Sequence, residues 1–206
     1  MSFDEEHELR FDEESHTYFV DSLPVPSVTE IVGILTADKY AAPNAALEGA
    51  RARGSRVHEL CMDLDLGELP EEFEAEALPY LNAYKSFLRD FKPKWLYMEL
   101  PLFSESYAGT LDRIGYVDGA PRVVDIKTTS SMDRASKTAL ACQITAYEIL
   151  SYKNGIDVYP DGGFGVQLKK DGTYTVYDTW RTEARYMFNS AALFGQLVEI
   201  NRILKG

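Results

Sequence analysis

The chain has 206 residues, of which 45% are hydrophobic and 12% aromatic, and this composition is typical of one well-packed folded domain. Its formal charge of −12 argues against a protein that coats nucleic acid, because such binding depends on a basic surface that releases counterions. A small, local contact with nucleic acid stays compatible with this charge if divalent cations supply positive charge where the chain is acidic.

Neither a membrane span nor a secretory signal is predicted. The chain has no run of about 20 apolar residues, and its first residues are acidic and polar. We therefore expect a cytoplasmic protein without membrane contact. Cys61 and Cys142 are the only cysteines, so we expect two buried thiols and no four-cysteine iron–sulfur cluster or zinc ribbon.

The first third of the chain predicts a hairpin followed by helices. Leu9–Val20 alternates around a turn-like acidic stretch and predicts the hairpin, and Pro24-Val25-Pro26 should end the extended structure. Ser27 and Glu30 have capping-box spacing and therefore predict the start of a helix. The helices predicted before the first sheet strand cover 27–35, 43–65 with an end near Gly67, and 71–91 with a break or restart at Pro79.

The apolar period then changes to two, which predicts the centre of a sheet. We expect strands at 95–102, 107–117 and 122–129. A helix over 134–153 should end at Asn154-Gly155. The remaining elements are a hairpin at 164–179 and an amphipathic helix at 182–204.

The strand at 122–129 carries two charged side chains on one face. Because side chains alternate along a strand, Asp125 and Lys127 emerge together while Val124 and Ile126 point the other way. If Asp118-Gly119 is a two-residue turn that Pro121 leaves undistorted, Asp112 lies directly opposite Asp125 and Thr110 opposite Lys127. Two opposed carboxylates repel each other unless they are protonated or bridged by a cation.

A divalent cation would resolve this repulsion, and oxygen ligands favour Mg²⁺ or Mn²⁺ over zinc. A metal site with an adjacent lysine suits phosphodiester hydrolysis, because the ammonium can stabilise the developing negative charge. The alternative interpretation of the same residues is a structural ion pair between Lys127 and one aspartate on a sheet face.

Five motifs carry a resemblance to a known superfamily. They are His16-Thr17-Tyr18 with Pro26–Thr29, the G-x-x-x-H segment Gly54–His58, Gly109–Arg113, the D-x-K segment Asp125–Thr128, and the Q-x-x-x-Y segment Gln143–Tyr147. In this order and spacing the chain resembles the PD-(D/E)XK nuclease superfamily, specifically its RecB-like and phage exonuclease branch. The resemblance implies an α/β, restriction-endonuclease-like core with a central mixed β-sheet flanked by helices. It implies one nuclease domain over 1–206, with an N-terminal hairpin and helix at 1–36 and the catalytic strands and helix at 95–153.

The resemblance also implies roles for individual residues. Asp112 and Asp125 are metal ligands and catalytic carboxylates, Lys127 is the catalytic lysine, and the Ile126 carbonyl and His58 complete the metal set. Without the resemblance, His58 would be interpreted as a structural histidine. Glu99 is a further candidate catalytic carboxylate, because it lies inside a predicted strand where a charge needs a partner, although an exposed strand face also explains it.

Candidate nucleic-acid-binding residues surround these motifs. Gln143 and Tyr147 share a helical face, so both can reach a phosphate or hold Lys127, although an amphipathic helix boundary explains them too. The basic candidates are Arg53, Arg56 and Arg134, with Arg51 and Lys137 nearby, and surface solubility explains any one of them equally well.

The function expected from these features is a Mg²⁺- or Mn²⁺-dependent exonuclease that acts on DNA ends, in phage-type recombination, replication or repair. No iron–sulfur cluster is expected. A single-strand annealing or binding protein is a candidate partner, and an oligomer would help to explain the acidic charge. The alternatives are a structure-specific endonuclease and a non-catalytic interaction module that binds another protein through its acidic surface.

Overall fold

A computed structural model describes residues 7–34, 45–158, 162–178 and 184–193 of the chain. Its strands are β1 (Leu9–Asp12), β2 (Thr17–Val20), β3 (Leu23–Val25), β4 (Lys94–Phe103), β5 (Ala108–Val117), β6 (Ala120–Lys127), β7 (Phe164–Leu168) and β8 (Tyr174–Asp178). Its helices are α1 (Val28–Ile34), α2 (Ala45–Leu66), α3 (Leu78–Phe91) and α4 (Arg134–Lys153), with further helix at 184–193. Among the described residues, every helix is too short or too polar to cross a bilayer.

The larger sheet is mixed and has the strand order β4-β5-β6-β7-β8. Among the described strands of this sheet, only β6 and β7 run parallel, and α4 lies between them in the chain, as a parallel crossover requires. The small sheet β1-β2-β3 is antiparallel. The expected α/β class with a central mixed sheet flanked by helices is therefore confirmed at this coarse level.

Helices cover both faces of the larger sheet because its strands are apolar on both faces. Ile114 and Val123 pack with α1, α4 and the helical segment 184–193. Val124 and Ile126, which alternate with them along the chain, pack with α2 and α3. Both predicted core thiols are confirmed, since Cys61 and Cys142 are free and buried.

The local start signals of the sequence are confirmed. β1 and β2 form the expected hairpin, and the capping box is complete, with Ser27 N–H donating to Glu30 Oε2 at 2.7 Å and Glu30 N–H to Ser27 Oγ at 3.1 Å. The helix that follows reaches Ile34, the last described residue before the gap. The expected opening at Pro43-Asn44 and the expected final helix beyond 193 lie outside the described residues.

Two expectations for local structure that involve proline are correct in one part and wrong in another. The expected restart of the third helix at Pro79 is confirmed, since α3 begins at Leu78 and a proline, which lacks an N–H, fits the first turn of a helix; the expectation of helix over 71–77 is wrong. The extended structure does end within Pro24-Val25-Pro26, since β3 stops at Val25, but the sequence did not predict that Pro24 itself lies inside a strand. That strand is the edge of the small sheet, where a missing backbone donor is tolerated.

Candidate metal centre

The hairpin of β5 and β6 has the predicted register. Asp118 and Gly119 have φ of 51° and 81°, as both central residues of a type I′ turn require. The backbone pairs run from Val117–Ala120 to Arg113–Val124, and Pro121 does not distort them. The sequence therefore predicted this register correctly up to Arg113.

Beyond Arg113 the two strands stop pairing, and the expectation that Asp112 lies directly opposite Asp125 is wrong in detail. Asp112 instead accepts the Ile126 N–H through Oδ2 at 2.6 Å. Thr110 is paired with Pro101 on β4 and not with Lys127. The Asp112 side chain therefore replaces the backbone partner that β5 would otherwise offer to Ile126 of β6. Because the two strands no longer pair here, a gap opens between them in which polar side chains can lie.

Helix α2 brings His58 to this gap. Val57, Leu60 and Cys61 anchor the helix in the core, which leaves His58 facing the end of β6. His58 Nε2 lies 2.9 Å from the Ile126 carbonyl oxygen, and Nδ1 lies 3.6 Å from Asp112 Oδ1. The helix approaches closely at Gly54, where an added Cβ would lie 3.4 Å from Thr128 Oγ1.

Three side chains converge as potential metal ligands. His58, Glu99 and Asp112 each present one donor atom, and these atoms lie within 4.8 Å of one another. Two ligands at right angles on an ion with bonds of about 2.1 Å lie about 3.0 Å apart. The 2.9 Å between His58 Nε2 and the Ile126 carbonyl therefore fits joint ligation as well as a hydrogen bond.

The predicted charged pair on β6 is formed. Lys127 Nζ lies 3.0 Å from Asp125 Oδ1, to which it donates, and 2.7 Å from Oδ2. Asp125 is 2% exposed, and its Oδ2 has no aligned hydrogen-bond donor among the described residues, whereas the Lys127 side chain is 32% exposed. The cation beside this buried oxygen is the Lys127 ammonium at 2.7 Å, as the alternative interpretation of a structural ion pair also expects.

Burial and charge shift the pKa values of both groups. Burial raises the pKa of Asp125 to about 6, and the charge of Asp112 adds to this, while Lys127 opposes it. Burial alone would lower the pKa of Lys127, but the charges of Asp125 and Asp112 outweigh it and raise this pKa. The lysine therefore stays protonated at neutral pH and can donate hydrogen bonds.

Glu99 belongs to the site, but its backbone is unusual. Its φ is 46°, in the left-handed region that residues other than glycine rarely adopt. Glu99 lies in β4 between the backbone pairs Met98–Arg113 and Leu100–Leu111. Burial and the charge of Asp112 raise the pKa of the Glu99 carboxyl. The sequence pattern predicted the position of Glu99 but not this conformation.

Sequence reasoning missed a buried ionic network beside the ligands. Arg113 is fully buried and donates to Asp65 Oδ2 at 3.0 Å and to Glu99 Oε1 at 3.1 Å, and Tyr84 also donates to Asp65, at 2.6 Å. Burial raises the pKa of Asp65 despite these bonds. The available signal was an arginine next to Asp112 in an otherwise apolar strand.

Tyr147 of the Q-x-x-x-Y pair reaches the site from α4. Tyr147 is 3% exposed, donates through its hydroxyl to the Thr110 carbonyl at 2.8 Å, and also interacts with Gln143. Burial, together with Asp112 and Asp125, raises the pKa of Tyr147 well above its usual value. The structure therefore gives this hydroxyl a backbone partner, and the expected contact with phosphate stays a prediction.

The three basic candidates have different surroundings. Arg56 donates to Glu74 and Glu59, so two carboxylates already hold it. Arg53 has a buried Nε without a hydrogen-bond partner among the described residues, and Arg134 is exposed at the start of α4. Contact of these three residues with nucleic acid stays a prediction, with Arg56 the least available of them.

No family model matches the chain, and no curated protein matches it. The candidate centre therefore stands on its geometry: a histidine, two carboxylates and a backbone carbonyl at the point where β5 and β6 part, with a lysine–aspartate pair beside them.

Proposed function

We propose that the chain is a divalent-metal-dependent deoxyribonuclease that hydrolyses phosphodiester bonds at DNA ends. The observation that carries this proposal is the convergence of His58, Glu99 and Asp112 donors within 4.8 Å, next to the pair of Asp125 and Lys127. A donor set of mostly oxygen with one imidazole suits Mg²⁺ or Mn²⁺. The resemblance to the RecB-like and phage exonuclease branch supports the same activity and a restriction-endonuclease-like core.

The residues of the chain have distinct roles in this proposal. Asp112, Asp125, Glu99, His58 and the carbonyl of Ile126 would hold the cation, which supplies Lewis-acid polarisation of the phosphodiester. The partly exposed ammonium of Lys127, fixed by Asp125, donates a hydrogen bond to the oxygen that gains negative charge. The acidic chain favours a local contact at a DNA end over a long tract of duplex.

The test is digestion of 5′- and 3′-labelled single- and double-stranded DNA with Mg²⁺, Mn²⁺ or EDTA. We expect cleavage with either metal, none with EDTA, and a loss of at least about 100-fold in kcat for Lys127→Ala, because a preorganised donor to the developing charge is removed. The matched control is Lys153→Ala, which removes an exposed lysine paired with Glu105 and should leave the rate unchanged.

Circular DNA separates this proposal from its alternatives. An exonuclease leaves circular single-stranded and plasmid DNA intact, whereas cleavage of circles would establish the structure-specific endonuclease instead. A pure, folded protein that binds Mn²⁺ but cuts none of these substrates would point to the non-catalytic interaction module. Equal rates for Lys127→Ala and the wild type would reject the assignment of the lysine.

A further inference from the structure

Strand β5 carries a buried charged side chain, Arg113, that the proposed chemistry does not use directly. Arg113 is the largest fully buried side chain in the part of the chain that is described. A buried charge is costly unless paired and hydrogen-bonded. Its partners are Asp65, itself 2% exposed in its side chain, and Glu99, which is 34% exposed and faces the metal centre.

The contacts of this guanidinium point in two directions. Nε donates to Asp65 Oδ2 at 3.0 Å on the core side. Nη1 donates to Glu99 Oε1 at 3.1 Å and to the backbone carbonyl of Asp112 at 2.7 Å. A single planar, rigid group therefore links helix α2 to two of the three converging ligands, and Arg is the side chain whose fork permits such fixed geometry.

The conformation of Glu99 shows that something holds it. A left-handed φ of 46° is unfavourable for a non-glycine residue and persists only where the surroundings enforce it. The Glu99 side chain accepts a hydrogen bond from Arg113, which is the contact that can hold it in this arrangement. A carboxylate has two oxygens, so one can stay with the arginine while the other faces a cation.

We propose that Arg113 is a positioning residue for the metal centre: anchored by Asp65, its guanidinium holds the Glu99 carboxylate and the Asp112 backbone in the arrangement that accepts a divalent cation beside His58. This inference rests on the proposed function only in needing a bound cation. It assigns the buried arginine to metal affinity, whereas a purely structural ion pair would contribute to folding alone.

The test is titration of the full chain with Mn²⁺ alone, by calorimetry and by the paramagnetic signal of free Mn²⁺. Arg113→Lys keeps the charge but cannot reach Asp65, Glu99 and the Asp112 carbonyl at once. We expect it to weaken Mn²⁺ binding about 10- to 100-fold, as loss of an outer-shell partner does. The matched control is Arg122→Lys, which alters a part-buried arginine bonded to the carbonyls of Val117 and Gly162 and should leave the affinity unchanged.

A double variant separates positioning from general damage. If Arg113 acts in part through Glu99, then Arg113→Lys should weaken Mn²⁺ binding by a clearly smaller factor in the Glu99→Gln background, where only the contact with the Asp112 carbonyl is left to lose, than in the wild type. Fully additive losses would overturn the inference, since they would show that the arginine acts independently of Glu99. Thermal melts and near-ultraviolet circular dichroism establish which variants are folded.

Should Arg113→Lys fail to fold, Asp65→Asn is the second variant, because it keeps the arginine and removes only the charge that anchors it. We expect weaker Mn²⁺ binding with the fold retained. Wild-type affinity in either folded variant overturns the inference. If the wild type binds Mn²⁺ but does not cut DNA, the nuclease proposal fails and the role of Arg113 does not. If the wild type cuts DNA and Arg113→Lys binds Mn²⁺ as tightly as the wild type does, the role of Arg113 fails and the nuclease proposal does not.

Discussion

Two side chains on one face of β6 have different environments, and this difference shapes the candidate centre. Asp125 is buried and its pKa is raised to about 6, while Lys127 reaches solvent and its pKa is raised by the neighbouring carboxylates. A buried ion pair is weak evidence for stability, because desolvation offsets much of the attraction. The pair is therefore not by itself an argument for the stability of the fold.

Tyr147 gives a prediction at the scale of one atom. Its hydroxyl donates to the buried carbonyl of Thr110, so Tyr147→Phe should lower the free energy of unfolding by about 1–2 kcal/mol, as loss of a buried hydrogen bond does. Urea denaturation measures this difference. A raised KM for DNA with unchanged stability would contradict the structural role and support the contact with phosphate expected from the sequence.

At the scale of elements, the site forms where strands β5 and β6 stop pairing and helix α2 comes close to them. The β5–β6 ladder stops after Arg113–Val124, and the free N–H and carbonyl of Ile126 are then met by Asp112 and His58. Buried backbone N–H and C=O groups need hydrogen-bond partners, so where the ladder ends polar side chains must supply them. Asp112 and His58 supply these hydrogen bonds, and both are also groups that can bind a cation.

Helix α1 gives the prediction at this scale. Ser27 caps it through a bond to the Glu30 N–H, and Ser27→Ala should lower the free energy of unfolding by about 1 kcal/mol, with most of the effect on α1. Denaturant unfolding and hydrogen exchange of the α1 amides measure the loss. Ser27→Thr keeps the hydroxyl and is the control; if it destabilises the protein as much as alanine does, the cap is not the cause.

At the scale of the whole molecule, the charge of −12 and a cluster of carboxylates both favour cation binding. Because a metal that binds only the folded state stabilises it, Mn²⁺ at about 100 times its dissociation constant should add about 2.7 kcal/mol and raise Tm by about 5–10 °C. Differential scanning calorimetry in Mn²⁺ and in EDTA measures this shift. NaCl of equal ionic strength controls for general screening, and Asp112→Asn should abolish the Mn²⁺-specific part.

The sequence by itself determined those features that depend on local rules. Alternation placed Asp125 and Lys127 on one face, the Asp118-Gly119 turn determined the register up to Arg113, and the spacing of Ser27 and Glu30 marked the start of a helix. Each follows from backbone geometry over a few residues. The restart of helix at Pro79 was predicted as well, but the strand at Pro24 was missed because a proline suits both the end of a strand and an edge strand.

Only the tertiary structure decided what surrounds the ligands. The end of the β5–β6 ladder, the left-handed Glu99 and the bond from Tyr147 to Thr110 depend on how distant elements pack. Arg113 meets Asp65 across 48 positions of the chain, and His58 meets Ile126 across 68. The periodicity of a sequence carries information over only some tens of residues and cannot predict contacts between such distant positions. The candidate residues could therefore be predicted from their types and spacing, but the contacts that hold them in place could not.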